Sequence, residues 1–201
     1  MMHKKGRFSP LGGVILLLGL FLLPSLCQGY LSFFDTSPEY QYMQKRYGKK
    51  YATRRVLVMR DFFARQNPNL SAKAAKSYAA LVERICRNYS VDPFLVAAVI
   101  ARESSVQVKA KSGIAYGLMQ IHWEANKKWI PKVFPSIKSR RDLLHSRPNI
   151  YVGTYMLHKA LEGSRGKIDL ALDSYRGKSV TEYRRQIHAF YTEMVRDFKS
   201  R

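Results

Sequence analysis

The chain has 201 residues, which leaves room for one domain of ordinary size and a targeting segment. A domain of roughly 150 residues buries about 68–70% of its unfolded surface, so neither a metal nor a disulfide staple is required. With 35 Lys and Arg against 14 Asp and Glu, the formal charge is +21, which excludes an acidic solvating chain and points to a polyanionic partner: nucleic acid, an anionic membrane or an acidic wall polymer.

Residues 1–29 read as a signal peptide or an N-terminal anchor. Lys4, Lys5 and Arg7 precede an apolar run from Leu11 to Leu23, which Pro24 breaks before the small residues around Ser25 and Gly29. That run is short for a membrane span, which needs about 20 apolar residues. Either reading exports the domain to the periplasm or the cell envelope, so no nucleic acid partner is expected. Cys27 does not suit lipid attachment, because the preceding residue is the bulky Leu26. Cys86 would then be a lone thiol on an apolar helix face, where a cysteine acts as a small hydrophobe.

Residues 30–69 form a basic, aromatic N-terminal arm in which Tyr and Phe alternate with Lys45, Arg46, Lys49, Lys50, Arg54, Arg55 and Arg60. Val56 to Gln66 is compatible with a helix. A solvated arm and a contact with anionic wall or membrane both fit this composition, and basic residues among aromatics also fit nucleic acid, less readily in an exported protein.

From residue 70 to 201 the helical signals are regular and no segment alternates as a strand, so the domain is mostly α. Ser71 caps a helix whose apolar positions Tyr78, Leu81, Val82, Ile85 and Tyr89 follow the 3.6-residue period. Asp92-Pro93 starts a second helix, with Pro where its missing N–H costs nothing. This helix carries no charge from Phe94 to Ala101 and is apolar all round, the mark of a buried central helix. Pro148 opens another, with Gly153 read as a point of close packing and Gly163 as its end. A short helix from Asp169 to Tyr175 stops at Gly177. Ser179 and Glu182 have capping-box spacing ahead of the last helix.

Leu95, Val99 and Glu103 are four residues apart, so they lie along one line of the central helix. Glu103 therefore emerges where the packed line meets the following loop. Burial disfavours the charged form of a carboxyl, which suits a general acid. On spacing alone, a surface glutamate paired with Arg102 or a nearby lysine fits equally well.

The order of motifs resembles the SLT-type lytic transglycosylases, relatives of goose-type lysozyme. It comprises Glu103-Ser104, then Gly117-Leu118-Met119-Gln120, then Asn149-Ile150, Gly153-Thr154 and Leu157, then Tyr175 and Gly177. The match covers roughly Tyr78 to Arg185. Where that family has Tyr-Asn, this chain has Tyr175-Arg176, and the turn is one residue shorter. The loop from Gln107 to Tyr116 also differs.

The resemblance implies a lysozyme-like helical domain, with a buried central helix ending at a catalytic Glu103. It implies cleavage of the MurNAc–GlcNAc bond of peptidoglycan, Glu103 serving as acid and then as base, to leave a 1,6-anhydro ring without consuming water. Ser104, Met119, Gln120, Asn149 and Tyr175 are the implied substrate-binding positions, although Ser104 also fits a helix end or a residue that orients Glu103, and Met119 fits the core equally well. By residue type alone, Trp123 and Trp129 suit stacking on sugar faces, with at least one expected in the core. No cofactor is implied, and the five histidines show no metal-ligand spacing. Two alternatives stay open: a muramidase of the same fold, for which Asp173, Asp142 or Glu124 would be the second carboxylate, and a wall-binding protein with little turnover.

Overall fold

Helices that follow the apolar periodicity make up most of residues 32–201, the part that this computed structural model describes. The leader expected at residues 1–29 lies outside the described residues. In chain order the helices are α1 Pro38–Gln44, α2 Ala52–Gln66, α3 Ala72–Tyr89, α4 Pro93–Ser104, α5 Trp123–Asn126, α6 Ile130–Val133, α7 Ser146–Gly163, α8 Ile168–Arg176 and α9 Thr181–Ser200. None of them is long and apolar enough to cross a membrane.

The central helix is α4. Its N-cap Asp92 accepts from the Phe94 N–H at 2.9 Å, and Pro93 occupies the first turn. Every side chain from Pro93 to Ala101 is buried. Helices α2, α3 and α9 pack around it. The last of these supplies Tyr183, Ile187, Tyr191, Met194 and Phe198 to the core, each fully buried. Ser71 caps α3 through a bond from the Ala74 N–H at 3.2 Å.

Residues 32–69 are built into this core. Phe34, Met43, Val58, Met59, Phe62 and Phe63 have no exposed surface, and α2 packs along α3. The Asp169 carboxylate at the start of α8 accepts from the Ser32 hydroxyl and from the N–H groups of Phe33 and Phe34 at 2.8–3.0 Å. The Phe34 ring meets Tyr40, His188 and Tyr191 edge to face. The Tyr47 hydroxyl donates to Asp92 Oδ2 at 2.5 Å, and Tyr191 donates to the same oxygen at 2.6 Å. One carboxylate thus ties the N-terminal segment and the C-terminal helix to the start of α4.

Two expectations are corrected. A small antiparallel sheet exists: β1 Lys111–Ser112, β2 Ala115–Tyr116 and β3 Ile121–His122, in that order. Strands of two residues are too short for alternation to register in the sequence. The capping box at Ser179 and Glu182 does not form. Helix α9 starts at Thr181, and Ser179 instead accepts from the buried Arg184 at 2.9 Å, while Glu182 pairs with Arg185. A buried guanidinium must find acceptors, and Arg184 takes the serine along with both oxygens of Asp173 at 2.7 Å.

Candidate active site

Helix α4 ends because Ser105 and Val106 turn left-handed, with φ of 48° and 59°. The Ser104 hydroxyl donates back to Ile100 O at 3.0 Å and is buried, so it finishes the helix. Glu103 sits one residue earlier and is partly buried. Its Oε1 accepts from the Tyr183 hydroxyl of α9 at 2.5 Å. Burial raises the Glu103 pKa above the ordinary carboxylate value, while the Tyr183 bond and the charges of Arg176 and Arg102 act in the opposite direction. A carboxyl held this way can both carry a proton and give it up.

Tyr183 is fully buried, and burial together with the Glu103 charge drives its own pKa well up, so it remains a donor. Replacing Tyr183 with Phe removes the bond that favours the anion. The alkaline limb of any Glu103-dependent activity is expected to move to higher pH in that variant, as a pH–rate profile would show; an unmoved limb would detach Tyr183 from the acid.

The loop from Gln107 to Gln120 carries the glycine turn of the sequence motif. Gly117 takes φ of 78° and donates to Ala110 O at 2.8 Å. A side chain at Gly117 would run into the Leu143 carbonyl and the Asn149 amide. Gln120, also left-handed at φ 46°, donates from its amide to Gly117 O at 2.9 Å and to Ala110 O at 3.3 Å. Its Oε1 accepts from Ser112 at 2.5 Å. The Gln120 amide therefore closes the hairpin.

Asn149 of α7 fixes this turn from below. Its Oδ1 accepts from Met119 N at 2.7 Å, and its Nδ2 donates to Tyr116 O and Leu143 O, each at 2.8 Å. Tyr175, near the end of α8, donates its hydroxyl to Met119 O at 2.8 Å. Burial, and after it the charge of Glu103, raises the Tyr175 pKa well above its ordinary value.

Among the residues implied as substrate contacts, Met119 and Asn149 are fully buried and offer no surface to a ligand. Their side chains position the turn instead, because a buried amide must satisfy its donors and acceptor internally. Ser104 is spent on its own helix, and Gln120 and Tyr175 remain partly exposed at the edge of the site. Trp123 is buried, while Trp129 lies against Phe134 and Tyr155 and donates to Asn126 at 2.8 Å. A cleft of about 440 Å³ beside it is lined by Trp129, Tyr155, Lys159 and Tyr175, among others.

The packing of Met119 also explains Gly153. A Cβ at position 153 would stand 2.7 Å from Met119 Cβ, so the glycine makes room for a side chain. Gly153→Ala is expected to cost about 1–3 kcal/mol through overpacking. Urea denaturation would show this, and an unchanged midpoint would mean that Met119 has room to move.

Three residues of the site were not anticipated in their roles. Tyr183 lies 80 positions from Glu103 in the chain and reads as one more apolar-face residue of α9. The guanidinium carbons of Arg176 and Arg102 lie 4.8 Å and 5.5 Å from the centroid of the Tyr183 ring. The unusual Tyr175-Arg176 pair, and Arg102 next to Glu103, were the signs of this in the sequence.

A profile of the transglycosylase SLT domain matches residues 80–187, more than half of the chain. This interval contains Glu103, the turn, Asn149, Tyr175 and Tyr183. No solved structure matches the chain.

Proposed function

The chain belongs to the transglycosylase SLT domain family, and on that premise we propose that it is a peptidoglycan lytic transglycosylase with Glu103 as its single acid and base. The observation that carries this reading is the partly buried Glu103 carboxyl, bonded to Tyr183 and raised in pKa by burial.

In the first step the protonated Glu103 gives its proton to the oxygen joining MurNAc C1 to GlcNAc. The C1–O bond breaks, GlcNAc leaves with a free 4-hydroxyl, and positive charge spreads over C1 and the ring oxygen. The Glu103 carboxylate, now accepting from Tyr183, is favoured by that bond and by the two neighbouring arginines. It then takes the proton of the muramyl C6 hydroxyl as O6 bonds to C1. A 1,6-anhydro ring results, and Glu103 is protonated again.

A hydrolase of the same fold would need a second carboxylate to direct a water. Both oxygens of Asp173 accept from Arg184 at 2.7 Å. Asp142 Oδ2 accepts from the N–H groups of Lys138 and Ser139 and from the Ser139 hydroxyl. Glu124 is exposed and pairs with Lys127. Each is engaged in local structure, which favours the single-glutamate chemistry.

The test is digestion of purified peptidoglycan, with released muropeptides weighed by mass spectrometry. Products of 1,6-anhydro mass are expected. Reducing-end products would make the protein a muramidase, and no products on several wall types would leave a wall-binding protein.

A further inference from the structure

Most buried or clustered arginines of this protein have a carboxylate to balance them. Arg55 faces Glu83, Arg184 faces Asp173, and Arg65 faces Glu193 and Asp197. Arg102 and Arg176 form no such bonded pair; they act on the charge of nearby Glu103 without a bond to it. Neither guanidinium makes a hydrogen bond or an ion pair among the described residues, and Arg102 Nε is buried without a partner. Both are nevertheless gathered at one place, against the Tyr183 ring that holds Glu103.

The ring explains how they stay there. A guanidinium over an aromatic face is attracted by the ring quadrupole and loses rotamer freedom before any ligand arrives. It does not explain why two like charges should be brought together. The one carboxyl near both is Glu103, which must be protonated when the reaction begins, so it does not balance them at that stage. Two guanidinium forks therefore stand against the Tyr183 ring with no carboxylate bonded to either among the described residues, and such a fork is the arrangement that recognises carboxylate or phosphate.

The substrate supplies such a group. GlcNAc is neutral, and a muramyl residue differs from it by a lactyl ether at O3, which ends in a carboxylate or in a peptide stem that carries carboxylates. We infer that Arg176, with Arg102, is a specificity-determining pair that takes a carboxylate on the muramyl 3-O-substituent. This rests on the transglycosylase reading and adds to it the substrate feature being read. An asparagine at position 176 would offer a neutral amide, whereas arginine supplies charge and a bidentate fork.

The test uses three glycans of equal length. One bears free lactyl carboxylates, one bears the same groups capped as methylamides, and one bears short stems whose only carboxylates are on the peptide. Wild-type protein is expected to favour a carboxylate-bearing glycan over the methylamide by about tenfold in kcat/KM, expressed in KM, as one charge-assisted bond implies. Arg176→Asn should bring that ratio close to one, and Arg176→Lys should keep part of it. Added salt should narrow the wild-type ratio. Whichever carboxylate glycan shows the larger ratio identifies the source of the anion.

A wild type without preference, or an Arg176→Asn variant that slows all three glycans in proportion, would overturn the inference and leave the arginine a structural prop for Tyr183. If the wild type cleaves none of the glycans, the transglycosylase reading fails first. Calorimetric binding of the same glycans to Glu103→Gln, with and without Arg176→Asn, then decides the arginine by itself. Equal affinity of the two for the carboxylate glycan rejects it, and a loss of about tenfold supports it.

Discussion

Glu103→Gln is expected to lower the release of anhydro-muropeptides by about 10²–10⁴-fold, the usual contribution of a positioned general acid, while the protein stays folded. The amide keeps the shape of the side chain and an oxygen that can accept from Tyr183. What it lacks is a proton to give to the leaving oxygen. Activity that survives at the wild-type level would remove Glu103 from the mechanism, whatever the family.

Stability should move in the opposite direction. Burial holds the Glu103 pKa above its ordinary value, so the native state binds this proton more tightly than the unfolded chain does. The contribution is fully stabilising below the unfolded pKa and is lost as pH rises through the folded one. As pH rises through the raised folded-state pKa, the wild type takes on a partly desolvated charge that the glutamine variant does not. The variant's Tm at neutral pH is expected to equal or exceed the wild-type value, and its advantage should shrink toward acid. A lower Tm at pH 7 would mean that Glu103 is held mainly as a structural anion.

Local pattern made α4 and its acid legible. A helix without charge from Phe94 to Ala101, started by Asp92-Pro93 and ended by Glu103-Ser104, carries its cap, its burial and the emergence of its carboxyl in consecutive residues. Gly117 belongs to the same class, because its left-handed turn can be met from a short motif. Partners set by tertiary packing were not legible. Asp92 reads as a helix cap, and nothing local says that Tyr47 and Tyr191 arrive on its second oxygen. Met119 and Asn149 were located, but their contribution comes through the backbone of the turn, which their residue types alone do not announce.

The basic segment before residue 70 was the least legible, because composition records its charge and not what the charge meets. Arg55 reads there as one more cation among eight. In the structure it is 1% exposed and forms two bonds to Glu83 of α3, Nη2 to Oε1 at 2.6 Å and Nε to Oε2 at 2.9 Å. Its remaining donors reach the carbonyls of Arg46, Tyr47 and Gly48, the turn that leads into α2. One guanidinium so joins the N-terminal segment to α3.

Glu83→Ala is therefore expected to be the most destabilising of these substitutions. It strands a charge that is buried and still fixed by three carbonyls, and breaking a buried pair from one side costs about 3–5 kcal/mol. Urea denaturation would register the loss as a lower midpoint, with residues 32–69 becoming sensitive to protease. Replacing both partners, with Arg55→Met and Glu83→Leu, removes the stranded charge and should recover most of the loss in α2–α3 packing. The carbonyls of residues 46–48 lose their donor in either variant, so recovery should be incomplete and the protease sensitivity should persist around that turn. A single variant as stable as the wild type would show that water reaches Arg55 when its partner is gone. A double variant no better than the single one would assign the cost to the carbonyls, making the clamp on the turn, rather than the ion pair, what holds the N-terminal segment in the domain.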